Sequence, residues 1–176
     1  DLPGDTDSRG LETTEGYAPD RLTGIHTGSV HATTVAVDPE TGGVEILDFV
    51  IAEDAGTLIN PMIVDGQLYG GAAQGIGTAL FEEMQFDSQG QPLASTLADY
   101  LLPGATDIPN IRLLHMETPS PYTNFGQKGV GEGGAIGPAG AIANAINDAL
   151  APLGVEILQV PVTPRRIIEA LERQRR

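Results

Sequence analysis

The chain has no cysteine, only nine basic residues among 176, and no long apolar run. Without cysteine, this chain cannot contribute disulfides, thiolate metal sites or iron–sulfur ligands. The 24 acidic side chains give a formal net charge of −15, which opposes binding to nucleic acid or to an anionic membrane. No apolar stretch approaches the roughly 20 residues of a membrane-spanning helix, and the first ten residues have no signal-peptide character. We therefore expect no nucleic-acid partner and no membrane span. The absence of cysteine does not define a compartment, and we expect a cytoplasmic location, with the periplasm not excluded.

Glycine and proline are abundant by contrast, with 23 and 13 residues. They follow no fixed period, which excludes a collagen-like repeat and is typical of a globular chain with many tight turns. The polar, turn-rich residues 1–24 are predicted to form an extended N-terminal arm or linker. Residues 25–176 are predicted to form one domain segment, since their number suits a single domain.

The pattern of apolar and turn residues predicts an α+β fold with an antiparallel or mixed sheet and about three helices. The clearest element is a β-hairpin, in which two β-branched segments flank the turn sequence DPETGG. The helices carry capping signals at Asn60-Pro61, where the first helix runs to about Glu83, and at Thr163-Pro164. The predicted strands are Val30–Val37, Val44–Ile51, Ile111–Glu117 and Val155–Val160, with a second hairpin over Met84–Leu93. The predicted middle helix covers AGAIANAINDAL, after a loop that ends at Pro138, and Gly154 terminates it.

The first helix contains QLYGGAAQGIG, and each glycine costs roughly 1 kcal/mol relative to alanine inside a helix. Their small size must therefore serve a purpose. Close packing against another helix and a cofactor lying nearby are equally compatible with the pattern.

A glycine-rich loop, GQKGVGEGG, contains Gly129, Gly131 and Gly134 in the GxGxxG spacing of dinucleotide-binding domains. That fingerprint should follow a strand directly, whereas about eight loop residues intervene here, and Glu132 would place a carboxylate against a pyrophosphate. A phosphate-binding P-loop is excluded because Lys128 precedes the glycines and no serine or threonine follows it. A nucleotide-binding domain is thus the weaker hypothesis.

Glu132 stands alone between glycines, which let the backbone approach a large rigid ligand. A carboxylate fixed in a dry site can act as a general base. An ordinary exposed loop acid is an equally good explanation on these grounds alone.

The same loop resembles the signature loop near the C-terminus of the large subunit of the xanthine dehydrogenase family. This family of molybdenum hydroxylases includes aldehyde oxidases and carbon monoxide dehydrogenases. The resemblance runs from about Gly28 to Leu171 and is strongest to the carbon monoxide dehydrogenase-like branch. The other similar segments, in the same order as in the family, are HATTVAVDPETGGVEILDFVIAEDAGTLINP, VDGQLYGGAAQGIGTALFEE, DSQGQP, ADYLLPGATDIP and ETPSP.

The resemblance implies that Glu132 is the active-site base of an oxidative hydroxylation in which water supplies the oxygen. It also implies that the chain contacts a molybdenum–molybdopterin cofactor, with the cytosine dinucleotide form as one option. The implied cofactor-binding residues are Gln127, Lys128, Gly129, Val130 and Gly131. Lys128 has two alternative roles, as a charge for the cofactor's phosphate-bearing part or as a cap for local carbonyl groups.

The family's other cofactor-binding segments are not in this sequence, so the chain is expected to work with the remainder of the large subunit or with a partner large chain. The resemblance also implies an iron–sulfur subunit, an FAD subunit as a further option, and a small-molecule substrate. Iron–sulfur clusters and FAD would belong to those other chains. Purines, aldehydes, N-heterocycles and carbon monoxide all remain candidate substrates. The alternative from another class is a non-catalytic assembly or scaffold domain derived from this family.

No protein metal ligand is expected. His26 and His31 are five residues apart without a third ligand, so they are predicted to be structural. Asp54 and Asn60 are predicted to fix a turn and a helix cap. His115 is predicted to be a strand residue.

Overall fold

The computed structural model describes residues 14–16, 18 and 25–175. In this part of the chain the fold is α+β, as predicted, with a three-stranded mixed sheet and three α-helices. The predicted arm over residues 1–24 lies outside the described residues, apart from 14–16 and 18. The elements are β1 (Gly28–Val37), β2 (Val44–Asp54), α1 (Pro61–Leu80), β3 (Ile111–Met116), α2 (Gly133–Leu150), a short 3₁₀ helix (Ala151–Leu153) and α3 (Pro164–Gln174).

The predicted hairpin is confirmed, and its strands are somewhat longer than expected. β1 pairs antiparallel with β2, and the connecting turn is closed by hydrogen bonds between the backbones of Asp38 and Gly43 and of Gly42 and Asp38. Gly42 adopts a positive φ of 73°, which favours glycine at this position. Local turn chemistry therefore specifies this part of the fold.

A β-bulge interrupts the hairpin at Leu47. Thr34 pairs with Asp48 and Val35 pairs with Ile46, so Leu47 has no partner on β1. An extra residue of this kind reverses which side chains face the core. As a result Ile46, before the bulge, and Phe49, after it, both pack into the core.

β3 pairs parallel with β2 and completes the sheet in the order β1-β2-β3. It ends at Met116, one residue before the predicted end. The helices cover one face of the sheet, on which Phe49 and Ile51 are fully buried. The opposite face exposes large apolar side chains, including Val30, Leu114 and Met116.

α1 begins where the capping signal predicted. The Asn60 side chain accepts a hydrogen bond from the Ile63 N–H at 3.3 Å, and proline occupies the first turn. The helix ends at Leu80, three residues before the predicted end. α3 likewise begins after the predicted cap, with the Thr163 side chain accepting from the Arg166 N–H. Within the described residues, no helix is long and apolar enough to cross a membrane.

α2 corrects the prediction for the glycine-rich loop. It starts at Gly133, six residues before the predicted Ala139, and Pro138 lies inside it. Proline lacks the N–H that an interior helix position normally donates, which is why the sequence favoured a loop up to that point. In the fold Pro138 is buried against Gly75 of α1, so tertiary packing offsets the local penalty.

The predicted strand Val155–Val160 is wrong, because the segment forms no strand in the structure. The Asn147 side chain instead accepts from the Ile157 N–H at 2.8 Å and donates to the Ile157 carbonyl at 3.0 Å. An amide side chain therefore takes the place of a neighbouring strand. The predicted hairpin over Met84–Leu93 is reduced to a turn with one bridge, between Phe86 and Pro92.

The glycines of α1 serve close helix packing at two positions. A Cβ atom on Gly71 would lie 2.8 Å from the carbonyl carbon of Gly134 on α2, and a Cβ atom on Gly75 would lie 2.7 Å from Cγ of Pro138. Both contacts leave no room for a methyl group. Gly70, in contrast, would meet nothing within 4 Å, so packing within this chain does not require it.

Candidate functional site

Glu132 lies at the start of α2, at the N-cap position. Its backbone is near-helical, with φ −104° and ψ −12°, and its side chain makes no capping hydrogen bond. The side chain is exposed. A carboxylate at a helix N-terminus is stabilised by the positive end of the helix dipole, and here it is also accessible.

The preceding loop is attached to the end of β2 by backbone hydrogen bonds. The Lys128 N–H donates to the Ala55 carbonyl at 2.8 Å, and the Thr57 N–H donates to the Gly126 carbonyl at 3.1 Å. These bonds frame an antiparallel bridge between Gly56 and Gln127. The loop therefore has a fixed backbone path over Gly126–Lys128.

The Lys128 side chain reinforces this attachment. Its Nζ lies 3.2 Å from Asp54 Oδ1, and the two side chains are only 15% and 19% exposed. Neither alternative from the sequence, a cofactor phosphate or a local carbonyl cap, included this carboxylate partner.

Asp54 fixes the turn after β2, as predicted. Its carboxylate accepts from the Thr118 N–H and from the Gly56 N–H, each at 3.0 Å. Hydrogen bonding from Thr118 is the main cause that holds the pKa of Asp54 well below its ordinary value, and Gly56 and Lys128 act in the same direction. The ionised form is therefore strongly favoured, which suits its role as an anchor for the loop.

The remaining loop residues differ in what they expose. Gln127 is half-buried, and its side-chain oxygen accepts from the Phe125 N–H at 3.3 Å. Val130 packs against the core. Gly129 and Gly131 are exposed, and a Cβ atom on either would meet nothing within 4 Å. The loop thus presents bare backbone at the two glycines directly before Glu132.

This surface fits one wall of a site for a flat, rigid cofactor. Bare backbone at Gly129 and Gly131 permits a closer approach than any side chain would, and the fixed path beneath them avoids an ordering cost on binding. The ammonium group of Lys128 is directed to Asp54. A cofactor at this surface would therefore meet the backbone of Lys128 rather than its charged group. Glu132 is open to solvent, so the described part of the chain does not enclose its carboxylate.

Sequence reasoning missed a group of polar side chains beneath the start of α2, which we term the Glu53 cluster: Thr27, Ser29, His31 and Glu53. Glu53 is fully buried, and its Oε1 accepts from the Thr27 hydroxyl at 2.5 Å. His31 Nε2 and Ser29 Oγ lie 3.0 and 3.3 Å from the Gly133 carbonyl oxygen. The strand assignment from sequence ended at Ile51, so it provided no orientation for Glu53.

His31 has the structural role that the sequence predicted. Besides its bond to Gly133, its ring packs edge-on against Phe49, with 6.0 Å between the ring centroids. Burial lowers the pKa of His31 from its ordinary value of 6.5, and the Gly133 carbonyl and the Glu53 charge offset this only in part. The neutral ring is therefore the favoured form in the folded chain.

This pKa shift predicts how stability depends on pH. Because the unfolded chain binds the His31 proton more readily than the folded chain, stability must fall as the pH drops below about 6.5. We expect the free energy of unfolding of the chain, from denaturant titrations, to decrease between pH 7 and pH 5. Asp54 and the other carboxylates with lowered pKa values lose their contribution only at lower pH, below the ordinary value of 3.8.

His31→Gln should remove most of this slope, whereas His26→Gln is the matched control at an exposed position and should retain it. A His31→Gln variant with an undiminished slope would contradict the assignment.

Comparison with known protein families identifies the class of protein to which this fold belongs. The model for the molybdopterin cofactor-binding domain matches residues 6–109, and the chain belongs to that family. The match ends before the Gln127–Glu132 loop, so it supports the family without addressing these site residues.

Particular relatives are large subunits of molybdenum hydroxylases. The nicotine 6-hydroxylase large subunit of Paenarthrobacter nicotinovorans is 40% identical over 92% of this chain and 20% of its own length. The crystal structure of quinoline 2-oxidoreductase from Pseudomonas putida 86 is similar with a TM-score of 0.79 and 48% identity, over 81% of this chain and 18% of that one. The Cu,Mo-CO dehydrogenase structure is similar with a TM-score of 0.83 and 33% identity, over 90% of this chain and 20% of that one. The chain thus spans about a fifth of the length of these relatives.

Proposed function

We propose that this chain forms part of a molybdenum hydroxylase and supplies Glu132 as the active-site base for oxidative hydroxylation of a small molecule, with water as the oxygen source. The observation that carries the proposal is the exposed, uncapped Glu132 carboxylate on a fixed helix end, directly after bare glycine backbone. Such a carboxylate has a defined backbone position and no hydrogen bond that occupies its side chain as a cap, so it is available to accept a proton from a bound reactant within hydrogen-bond reach.

Gln127, Lys128, Gly129, Val130 and Gly131 are proposed to line the molybdopterin cofactor. Gly129 and Gly131 would contact it through bare backbone, while Lys128 holds the loop in place through Asp54. Once bound, molybdenum–molybdopterin supplies the two-electron oxidation. The role of this chain is to orient the cofactor along the loop and to accept a proton at a Glu132 carboxylate oxygen. The cytosine dinucleotide form of the cofactor is part of the proposal.

Aromatic N-heterocycles and aldehydes are the proposed substrates. Two relatives carry names that refer to nicotine and quinoline, both N-heterocycles, and a third is an aldehyde oxidoreductase. Electron-poor carbon atoms in such compounds accept an oxygen nucleophile once a base removes its proton. Carbon monoxide, purines and other small molecules are alternative candidate substrates, and the same activity assay would test each of them.

The remaining large-subunit segments are proposed as the principal partner, because they would enclose the side of Glu132 that this chain leaves open. The exposed apolar face of the sheet, with Val30, Leu114 and Met116, is a suitable contact for them. An iron–sulfur subunit and an FAD subunit are proposed to carry electrons away, in a cytoplasmic complex.

Metal and pterin analysis of the chain, purified from its native host together with its bound partners, tests this proposal. We expect about one molybdenum and one molybdopterin per copy of the chain, together with a larger partner and hydroxylation of an N-heterocycle or aldehyde. A stable complex that contains neither molybdenum nor pterin would overturn the proposal in favour of a scaffold domain.

A further inference from the structure

Glu53 is a buried acidic residue to which the proposed function assigns no role. Its side chain is 0% exposed, and its Oε2 has no hydrogen-bond partner among the described residues. Burial of a charged group without full pairing costs free energy, so an incompletely satisfied carboxylate in the core calls for an explanation. Stability alone would be served better by an apolar side chain at this position.

The Glu53 carboxylate lies against the first residue of α2. A Cβ atom on Gly133 would lie 2.5 Å from Glu53 Oε1 and 2.9 Å from Oε2. The positive end of the helix dipole attracts a carboxylate at this location. Only glycine leaves room for this contact, because any side chain at position 133 would collide with the Glu53 carboxylate.

The Gly133 backbone also makes hydrogen bonds to two side chains of β1. Its carbonyl oxygen is bound by His31 Nε2 and Ser29 Oγ, at 3.0 and 3.3 Å. The hydrogen bond from Thr27 in turn fixes the Glu53 carboxylate. The Gly133 backbone is therefore held by the hydrogen bonds to its carbonyl oxygen and by its close contact with the Glu53 carboxylate.

Glu132 directly precedes Gly133, and its side chain makes no capping hydrogen bond that would orient it. On its other side lies Gly131, which is exposed and uncrowded. The backbone position of Gly133 therefore determines where the Glu132 side chain leaves the helix end.

We propose that Glu53 is a positioning residue for Glu132, which acts by fixing Gly133 at the start of α2. The inference rests on the proposed function of Glu132 as a base. Displacement of a reacting group by about 1 Å can cost on the order of 100-fold in rate, so a loss of this contact should be visible in turnover while the fold persists.

The test uses Glu53→Gln in the assembled enzyme, since glutamine preserves the shape and the bond from Thr27 but removes the charge. We expect kcat to fall about tenfold or more, with KM within about twofold and with molybdenum content unchanged. Glu45→Gln is the matched control, because Glu45 is an exposed residue on the same strand. This control should leave kcat unchanged.

A second readout does not depend on activity. Hydrogen exchange of peptides that cover residues 130–137 should be faster in Glu53→Gln than in the unmodified chain and unchanged in Glu45→Gln. Wild-type kcat together with wild-type exchange in Glu53→Gln would overturn the inference. Loss of molybdenum in proportion to loss of activity would also overturn it, since Glu53 would then merely maintain the fold.

Should Glu53→Gln fail to fold, Gly133→Ala probes the same contact from the helix side. The added methyl group would collide with the Glu53 carboxylate and should lower kcat by a similar factor. Glu53→Asp in the Gly133→Ala background shortens the acid and should restore part of the lost kcat. Absence of any rescue would count against the inference, whereas full activity of a Glu132→Gln enzyme would instead refute the proposed function.

Discussion

Glu132→Gln is expected to lower kcat of the assembled enzyme by about 10²- to 10⁴-fold, the range that general-base catalysis contributes. Glutamine has nearly the same shape as glutamate, so the start of α2 and the glycine backbone before it should be preserved. The amide cannot accept the proton, however. Molybdenum content and thermal stability should therefore match those of the unmodified enzyme. Steady-state kinetics measure kcat, metal analysis measures the molybdenum content, and thermal denaturation measures the stability.

Glu156→Gln provides the matched control for this variant. Glu156 is exposed and follows the C-terminal end of helix α2, whereas Glu132 lies at the opposite end of this 18-residue helix, which is about 27 Å long at 1.5 Å per residue. The Glu156→Gln variant loses the same charge as Glu132→Gln, but the change lies away from the Glu132 site. Its kcat should therefore stay within about twofold of that of the unmodified enzyme. Retention of kcat in Glu132→Gln would exclude Glu132 as the base, whatever the control shows.

Gly71→Ala is expected to destabilise the chain by about 1 to 3 kcal/mol, the usual cost of an extra methyl group in a packed core. The new Cβ atom would lie 2.8 Å from both the Gly134 carbonyl carbon and the Ala135 nitrogen. Both are backbone atoms, so no side-chain rotation relieves the contact, and α1 must move away from α2. Denaturant titration measures the loss as a lower midpoint at constant slope.

Gly70→Ala is the neighbouring control and should have the opposite sign. Gly70 is exposed inside α1, and a Cβ atom there would meet nothing within 4 Å. Alanine should stabilise the helix by about 0.5 to 1 kcal/mol, because it restricts the unfolded chain and favours helical conformations. Equal effects from the two substitutions would show that contact between α1 and α2 does not explain the presence of glycine at position 71.

Close contact between α1 and α2 also affects the position of the candidate site, because Glu132 is the N-cap residue of α2. Gly134, the second residue of α2, lies against the backbone of Leu68, while Gly133 contacts Glu53 of the Glu53 cluster. The start of α2 is thus held by the sheet below and by α1 beside it. Substitutions that separate the two helices should therefore reduce turnover as well as stability.

Local patterns in the sequence predicted the parts of the fold that depend on local chemistry. The turn between β1 and β2, the Asn60 and Thr163 caps and the Asp54 turn each involve residues close together in the chain, and each has the predicted form. The resemblance of the GQKGVGEGG loop to the xanthine dehydrogenase family predicted the family to which the chain belongs. Local errors arose where a distant contact intervened, as at Pro138 and at the bond from Asn147 to Ile157.

The sequence by itself therefore determined the fold class, the first hairpin and the two helix caps, and its resemblance to the family indicated Glu132 as the candidate base. Only the tertiary structure decided what surrounds Glu132, and the reason is the β-bulge at Leu47. Simple alternation from Val44 and Ile46 would place Glu53 on the exposed face of the sheet. The extra residue reverses that orientation and buries Glu53 beneath Gly133, because strand register depends on pairing with β1 and on packing under α2, which are contacts between residues far apart in the chain.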